Sequence, residues 1–288
     1  MEFIEVLKII LLGIVEGITE WLPISSTGHM KLVNYYLPLQ IETPYFAEMF
    51  EYVIQLAAIL AVIVLFWGKL FPLGKASKNN DNGKKIVWKT ESLTLWLKVI
   101  VACIPAVLAL AVDILFENLT EETETLIIAL MLIVYGVVFI LVEKYNKNQP
   151  KIQETAEISY KYAFFIGCFQ LLAAIPGTSR SGVTIIGALL LGVSRTAAAE
   201  FTFFLAIPTM VGASGYKLLK FFLEAGSMSG AEIGYLLIGS VVAFAVSLCA
   251  IKFLMDFVKK HDFKAFGWYR IALGFVVIAT MVVPSLIN

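Results

Sequence analysis

Residues 16–29 read EGITEWLPISSTGH, and they interrupt an apolar stretch that extends from residue 3 to residue 40. Pro23 ends a helix that begins near the start of this stretch, and Pro38 ends the helix that follows the break. Neither helix is long enough to cross a membrane, and such a break is tolerated only where the backbone is buried in protein or lines a wet cavity. We therefore predict that residues 3–40 form a re-entrant helical hairpin.

A second apolar stretch, residues 160–194, is broken in the same way. Residues 176–182 read PGTSRSG, and Gly192 follows near the end of the stretch. Proline, glycine and serine at this density end helices and form turns. This stretch is predicted to be a second re-entrant hairpin.

Six other segments are apolar and each is long enough to cross a hydrocarbon core about 30 Å thick, which takes roughly 20 helical residues. They cover residues 48–70, 92–116, 124–144, 196–223, 231–257 and 266–287. The chain is 59% hydrophobic and 15% charged, whereas soluble domains average about 25% charged residues. The predicted fold class is an all-α integral membrane protein with six transmembrane helices plus two re-entrant hairpins, which excludes a soluble enzyme.

The charge balance excludes other classes of protein. The 22 basic and 22 acidic residues give a formal net charge of +0, so we expect no nucleic-acid partner. The three cysteines have neither zinc-site spacing nor an even number for disulfides. Glu2 and Glu5 precede the first lysine, so we expect no cleavable signal peptide.

Loop charges predict the orientation in the membrane. Residues 69–91 and 259–264 are rich in lysine and are expected in the cytoplasm, whereas residues 117–124 carry four glutamates and no lysine. The first hairpin then enters from outside, the second enters from inside, and both termini lie outside.

This opposition predicts a single membrane domain, residues 1–288, built as an inverted-topology repeat. The first repeat covers residues 1–144 and the second covers 145–288. A shift of 153 residues aligns Pro23 with Pro176, Ser25 with Thr178 and Ser26 with Ser179. Paired broken helices in two inverted halves are typical of a midplane site at the interface between the halves.

Glu16 and Glu20 lie four residues apart, on one face of a helix. Two desolvated carboxylates repel each other unless a cation or a shared proton intervenes, and ionisable residues within membrane segments are functional by default. The alternative is that both reach water near the surface. Gly13 and Gly17 have the alternative role of allowing another helix to pack closely.

A polar run follows the proline and begins a new helix; it consists of Ser25, Ser26, Thr27, Gly28 and His29. One hydroxyl would cap that helix, so the others need a further purpose. The free N–H groups at a helix N-terminus favour an anion. This turn is therefore a candidate anion-binding and catalytic site.

Arg180 is the one of three arginines that lies among glycine and serine within a hairpin. Its uncompensated burial would cost about 2.5 kcal/mol or more, and a phosphate would offset that cost. The alternative is an internal ion pair with Glu16, Glu20 or Glu51. The polar residues around Arg180 are candidate substrate ligands: Thr178, Ser179, Ser181, Gly182 and Thr184.

Other polar residues of the apolar segments receive supporting or neutral roles. Glu51 and Gln55 share a face of the first span, and either of them or Glu200 could support the site. Arg195 and Arg270 lie nearer helix ends, where we expect their side chains to snorkel to the surface.

Together the two turns provide carboxylates, hydroxyls, a histidine and an arginine, a set that matches phosphoryl transfer. No GxxxxGK[ST] motif is present, so nucleotide energy is not implied. A lipid-phosphate transporter or flippase is the rival interpretation, because broken helices and inverted repeats are typical of transporters.

The sequence resembles the bacterial undecaprenyl-pyrophosphate phosphatases of the bacitracin-resistance type. The resemblance extends over essentially the whole chain. It is most specific in residues 16–29 and 176–182 and continues in residues 50–56 (FEYVIQL) and 192–195 (GVSR).

The resemblance implies hydrolysis of undecaprenyl diphosphate at the outer face of the bacterial plasma membrane, which recycles the lipid carrier for cell-wall synthesis and confers bacitracin resistance. It implies a divalent cation, Mg²⁺ or Ca²⁺, held by Glu16 and Glu20, with these carboxylates as the alternative general base. Ser26 becomes the favoured nucleophile, His29 or an activated water stays an alternative, and Arg180 grips the diphosphate. The expected partners are the lipid substrate and membrane lipids, and a homodimer stays open.

Overall fold

The computed structural model describes residues 2–41, 43–75, 86–108, 116, 119–146, 149–224 and 228–287. Within these residues we number the α-helices α1 to α12 in chain order. They are α1 Phe3–Thr19, α2 Ser26–Tyr36, α3 Phe46–Leu65, α4 Trp67–Leu70, α5 Thr90–Cys103, α6 Glu121–Tyr145, α7 Tyr160–Gln170, α8 Arg180–Leu190, α9 Arg195–Glu224, α10 Gly230–Val258, α11 Lys264–Val277 and α12 Val283–Ile287.

Shorter elements complete the description. Three 3₁₀ helices cover Pro105–Leu108, Thr155–Glu157 and Leu171–Ala174, and a π-helical segment, Ile278–Val282, joins α11 to α12. Strands β1 (Leu73–Lys75) and β2 (Ile86–Trp88) form a small antiparallel ribbon in which Leu73 lies opposite Trp88. Within the described residues, this ribbon and a single parallel bridge between Ile152 and Val193 depart from the all-α prediction.

Six of the described helices are long and apolar enough to cross a membrane, which confirms the predicted number. They are Phe46–Leu65, Thr90–Leu108, Glu121–Tyr145, Arg195–Glu224, Gly230–Val258 and Lys264–Ser285. Residues 109–115 of the predicted second span lie outside the described residues. Part of the evidence for orientation also lies outside the described residues, namely residues 76–85 and Glu117.

The two broken stretches each form a pair of shorter helices, α1 with α2 and α7 with α8. Ser25 and Ser179 are the N-cap residues of α2 and α8; they have positive φ angles of 73° and 40° and accept hydrogen bonds from the Gly28 and Gly182 N–H groups. These two capping serines are 154 residues apart. The predicted alignment pairs Ser25 with Thr178 instead, one residue before the capping Ser179, and the inverted repeat stays a prediction.

The first helix of each pair crosses another helix at close range. A Cβ atom at Gly13 of α1 would lie 2.9 Å from the carbonyl oxygen of Gly239 in α10. Gly167 of α7 approaches Ala102 of α5 in the same manner. Gly13 and Gly167 are also 154 residues apart, and the predicted packing role of Gly13 is confirmed.

Helices α3 and α9 pack against each other at the centre of the molecule and run antiparallel. The Glu48 carboxylate, at the start of α3, accepts from Lys217 Nζ near the end of α9 at 2.6 Å. The Glu200 carboxylate, near the start of α9, accepts from Lys69 Nζ just beyond the end of α3 at 2.7 Å. Glu200 is therefore engaged away from the polar turns.

An aromatic cluster holds the first turn against α9. The buried Trp21 ring meets the ring of Phe203 edge to face, with 5.4 Å between centroids. Phe66 packs between Phe203 and Phe204 on the same side of α9. Burial of Trp21 fixes the turn that carries Glu20 on one side and Ser25 on the other.

Candidate active site

Glu20 joins the two halves of the chain at a single carboxylate. Its Oε1 accepts a hydrogen bond from Arg180 Nη2 at 2.9 Å, and its Oε2 accepts one from Ser26 Oγ at 2.7 Å. Only 6% of Glu20 is exposed. The predicted internal ion pair of Arg180 is thus confirmed, with Glu20 as its partner, and the same carboxylate accepts a hydrogen bond from Ser26, the candidate nucleophile.

The local backbone places these side chains. The capping bond of Ser25 starts α2 at Ser26, whose hydroxyl then reaches Glu20 six residues upstream. In the second turn Ser181 donates to the carbonyl oxygens of Glu20 at 3.3 Å and Leu22 at 3.5 Å. The two turns therefore contact each other directly.

Glu16 lies behind Glu20 and is only 2% exposed. Gln55 lies within hydrogen-bonding reach of it, and the neighbouring charges are Glu20, Glu51 and Arg180. Its Oε1 is buried without a hydrogen-bond partner among the described residues. The alternative in which both carboxylates simply reach water is wrong.

A second set of polar contacts borders the site. Asn34 donates to the Glu51 carboxylate at 2.7 Å. Lys31 of α2 pairs with Glu124 at 2.8 Å and Glu121 at 3.4 Å at the start of α6. These contacts attach α2 to both neighbouring spans.

Both ring nitrogens of His29 are engaged by groups other than the carboxylates. Nδ1 lies 2.7 Å from the Ser25 carbonyl oxygen, and Nε2 lies 2.7 Å from the Tyr269 hydroxyl. A carbonyl oxygen only accepts, so Nδ1 carries the proton and Nε2 of the neutral ring accepts from Tyr269. The two rings also stack, with 5.6 Å between centroids.

The remaining residues that we predict to bind substrate differ in their exposure to solvent. Thr27 is exposed, whereas Gly28 is buried against Leu132. Thr184 is fully buried, donates to the Arg180 carbonyl oxygen at 3.0 Å and accepts from Thr202 at 2.9 Å. Thr178, Ser181 and Gly182 are buried in the second turn, where Ser179 Oγ lies 3.2 Å from Ser181 Oγ. Their roles in substrate binding stay predictions.

Arg270 is a site residue that sequence reasoning missed. It is 0% exposed and donates to the backbone carbonyls of Pro23, Met131 and Gly177. The snorkelling interpretation is therefore wrong for Arg270, because its guanidinium finds acceptors in the protein interior. An arginine inside an apolar segment was the signal available, as it was for Arg180.

Arg195 behaves differently and lies away from the turns. Its Nε and Nη2 donate to the two oxygens of Glu143, at 2.8 and 2.6 Å, near the end of α6 opposite Glu124. Its partly exposed side chain is fixed by this bidentate pair, and the pair does not contribute to the site.

The chemistry of the donor set fits a divalent cation that is shared with a substrate. No group of three or more histidine, cysteine, aspartate or glutamate side chains that could hold a metal occurs in the described part of the chain. Glu16 and Glu20 supply two carboxylates, and Glu16 Oε1 lacks a partner. Mg²⁺ is commonly held by one or two carboxylates with substrate phosphates and water.

Comparison with known proteins gives one consistent result. The family model described as Bacitracin resistance protein BacA matches residues 9–276. An "Undecaprenyl-diphosphatase" of Enterococcus faecalis is 56% identical over 281 residues, covering 96% of this chain and 98% of the relative. Proteins of the same name from Lachnoclostridium phytofermentans and Desulfitobacterium hafniense are 55% and 56% identical; each alignment covers 96% of this chain, with 97% and 96% of the respective relatives.

Proposed function

Because this chain belongs to the family of the bacitracin resistance protein BacA, we propose that it hydrolyses undecaprenyl diphosphate to undecaprenyl phosphate and inorganic phosphate. The contact of Glu20 with both Ser26 and Arg180 carries the proposal. It joins a nucleophile, a base and a phosphate-binding cation in one place. The reaction recycles the lipid carrier for cell-wall synthesis and confers bacitracin resistance.

Ser26 is the nucleophile and Glu20 is its general base. Glu20 Oε2 takes the hydroxyl proton as Ser26 Oγ attacks the terminal phosphorus, and the bond from that phosphorus to the bridging oxygen breaks. Undecaprenyl phosphate leaves with the bridging oxygen and takes the proton from Glu20. Water then attacks the phosphoserine: Glu20 takes a proton from the water and returns it to Ser26 Oγ as the phosphorus–Oγ bond breaks, which releases inorganic phosphate.

Arg180 binds the terminal phosphate once it separates from Glu20. Its Nη1 is buried without a hydrogen-bond partner among the described residues, so a phosphate oxygen would satisfy it. A planar guanidinium binds two phosphate oxygens at once. Arg180 then stabilises the charge that spreads over those oxygens in the transition state.

His29 is less suited than Ser26 to attack phosphorus. Its Nδ1 proton is held by the Ser25 carbonyl, and its Nε2 lone pair accepts from Tyr269. Both nitrogens would have to give up these partners. His29 instead links the capping turn to α11, and water activated by a carboxylate stays the alternative nucleophile.

Glu16 and Glu20 would hold the divalent cation, Mg²⁺ or Ca²⁺. When bound, such an ion supplies charge neutralisation at the diphosphate oxygens. The buried, unpartnered Glu16 Oε1 supports this assignment, because a buried carboxylate oxygen needs a compensating partner. Without substrate, Glu20 contacts Ser26 and Arg180, and its primary role is as the base for Ser26.

The chain is a multi-pass membrane protein, and we place it in the plasma membrane with the site open to the outer face. Lys31, two residues beyond His29, pairs with Glu121 and Glu124. These glutamates belong to the segment whose acidic composition predicts the outer side. A homodimer stays a prediction.

The architecture proposed for this site is the inverted repeat with two re-entrant hairpins. An offset of 154 residues relates the close-packed glycines Gly13 and Gly167 and the capping serines Ser25 and Ser179. The antiparallel central helices α3 and α9, with ion pairs at both ends, also support two halves of opposite direction.

Phosphate release by the purified protein tests the function. In detergent with Mg²⁺ or Ca²⁺, the wild type should release phosphate from undecaprenyl diphosphate, and a chelator should suppress the release. Arg180→Ala should reduce kcat/KM by at least about 100-fold. Arg195→Lys, a matched arginine control away from the site, should stay within about threefold.

A folded wild type that releases no phosphate with any divalent metal would contradict the proposal. Flux of polyprenyl phosphate across proteoliposomes without hydrolysis would favour the transporter interpretation instead.

A further inference from the structure

Arg270 is a wholly buried cation whose described hydrogen bonds all go to backbone carbonyl groups. Nη2 donates to Gly177 at 3.1 Å and to Met131 of α6 at 3.4 Å, and Nη1 donates to Pro23 at 3.4 Å. The guanidinium also lies over the Tyr135 ring, 5.7 Å from its centroid. One side chain of α11 thus contacts both polar turns and α6.

The two turn carbonyls are equivalent positions in the two halves of the chain. Pro23 lies two residues before the capping Ser25, and Gly177 lies two residues before the capping Ser179. Arg270 therefore binds the same carbonyl in both turns. It lies where the first half and the second half meet.

Gly177 is suited to this contact because of its backbone. Its φ is +83°, and a Cβ atom would lie 2.6 Å from the Cα atom of Ile128 in α6. A larger residue would move the second turn away from α6 and α11. The turn is thus shaped to bring the Gly177 carbonyl to the guanidinium.

The contact between Glu20 and Arg180 depends on the separation of the turns. Glu20 enters the first turn and Arg180 follows the second, so their 2.9 Å contact requires the two turns to lie close together. The other described direct link is the Ser181 hydroxyl, whose bonds to Glu20 and Leu22 are long, at 3.3 and 3.5 Å. Arg270 adds contacts from a third element.

We propose that Arg270 is a positioning residue, which holds the two turns at the separation where Ser26 and Glu20 meet Arg180. It acts through the backbone of both turns. The kinetic consequence rests on the proposed function, whereas the spacing of the turns is measurable without turnover.

Distance measurement tests the spacing directly. Nitroxide labels are placed at Thr27→Cys and Leu172→Cys, both exposed, in a background with Cys103, Cys168 and Cys249 replaced by alanine. In double electron–electron resonance spectroscopy, Arg270→Met should at least double the width of the distribution of distances between the two labels. Arg195→Met, which removes the bidentate pair at the other end of α6, should leave that width unchanged.

If Arg270→Met does not fold, the same distance measurement is made on Arg270→Lys. Lysine retains the charge, but its single ammonium group does not span both turn carbonyls and Met131. The distribution should broaden here too. An unchanged distribution in a folded Arg270→Lys protein would overturn the proposal.

A double-substitution cycle tests the consequence for turnover. Arg180→Ala should lower kcat/KM by about 100-fold or more in the parent, but by less than about tenfold in Arg270→Lys, because the guanidinium at 180 is already displaced. A purely structural role would reduce only the folded fraction and leave the effect of Arg180→Ala per folded molecule unchanged. If Arg180→Ala lowers kcat/KM by the same factor, within about twofold, in the parent and in Arg270→Lys, the positioning role is contradicted.

Discussion

Glu20 has a different partner on each carboxylate oxygen, and this division explains why one residue can serve two purposes. Oε2 faces the Ser26 hydroxyl and Oε1 faces the Arg180 guanidinium. A carboxylate in this position orients the nucleophile while it neutralises the phosphate-binding cation. Substitutions that separate the two contacts distinguish these purposes.

Ser26→Ala should lower kcat by about 10³-fold and leave KM nearly unchanged, because it removes the attacking oxygen but not the groups that bind phosphate. Steady-state phosphate release gives both constants. Ser285→Ala is the control, since that hydroxyl donates only to the Val282 carbonyl in the last span. Near-normal kcat for Ser26→Ala would transfer the attack to water.

Glu20→Gln should lower kcat by about 10²- to 10⁴-fold, because an amide cannot take the serine proton. The neutral side chain also leaves Arg180 without its counter-charge. Glu200→Gln, which loses an ion pair with Lys69 away from the turns, should retain activity within a few fold. Equal losses in both variants would show that Glu20 matters only as a buried charge.

His29→Gln should cost less than Ser26→Ala, about 10- to 100-fold in kcat, because glutamine can still donate to the Ser25 carbonyl. The same phosphate-release assay compares the two. A loss as large as that of Ser26→Ala would assign His29 a direct part in proton transfer.

Residue type and position in or beside the polar turns predict four site residues, which lie together in the structure: Glu16, Glu20, Ser26 and Arg180. They do not predict Arg270, because its acceptors are carbonyls of turns far away in the chain. Its burial costs about 2.5–3.5 kcal/mol on insertion scales without such acceptors. Its place inside an apolar segment is the one local signal, and a snorkelling arginine near a helix end shares it. Tyr269 is not predictable from local sequence for the same reason, because its partner His29 lies 240 residues away in the chain.

At the scale of elements, the proline- and glycine-rich breaks predicted where the short helices end. The register between the two proposed halves is harder to predict, because the turns differ in sequence and the feature that Ser25 and Ser179 share is a capping hydrogen bond. The strands Leu73–Lys75 and Ile86–Trp88 were also missed, since three-residue strands leave almost no periodic pattern.

Gly167→Ala should destabilise the protein, because a Cβ atom would overlap the Ala102 carbonyl where α7 crosses α5. Overpacking of this kind costs about 1–3 kcal/mol, which corresponds to a melting temperature lower by roughly 3–10 °C. Thermal unfolding in detergent gives the value. Gly212→Ala is the matched control: nothing lies within 4 Å of its added Cβ, so stability should be unchanged or slightly raised.

At the scale of the molecule, hydropathy predicts the number of spans. It does not predict which spans pack together, so the antiparallel pairing of α3 with α9 is known only from the structure. The ion pairs Glu48–Lys217 and Glu200–Lys69 mark the two ends of that pair. They show that α3 and α9, one from each proposed half, run in opposite directions.

Cysteine labelling should place the acidic loop before α6 and the lysine-rich loop before α11 on opposite sides of the membrane. In a background without native cysteines, Glu122→Cys should react with an impermeant maleimide in intact cells. Lys260→Cys should react only after permeabilisation, because lysine-rich loops stay in the cytoplasm. Labelling of Lys260→Cys in intact cells would reverse the proposed orientation of the site.

In the enzyme without substrate, the Glu20 carboxylate occupies the Arg180 guanidinium and competes with phosphate for it. Any phosphate that enters must outcompete a carboxylate already seated on the guanidinium, so every ligand loses part of its intrinsic affinity. A diphosphate, with its greater charge, meets this threshold more easily than a monophosphate lipid. Product inhibition should accordingly be weak, and the finished carrier lipid should leave as the carboxylate returns to its place.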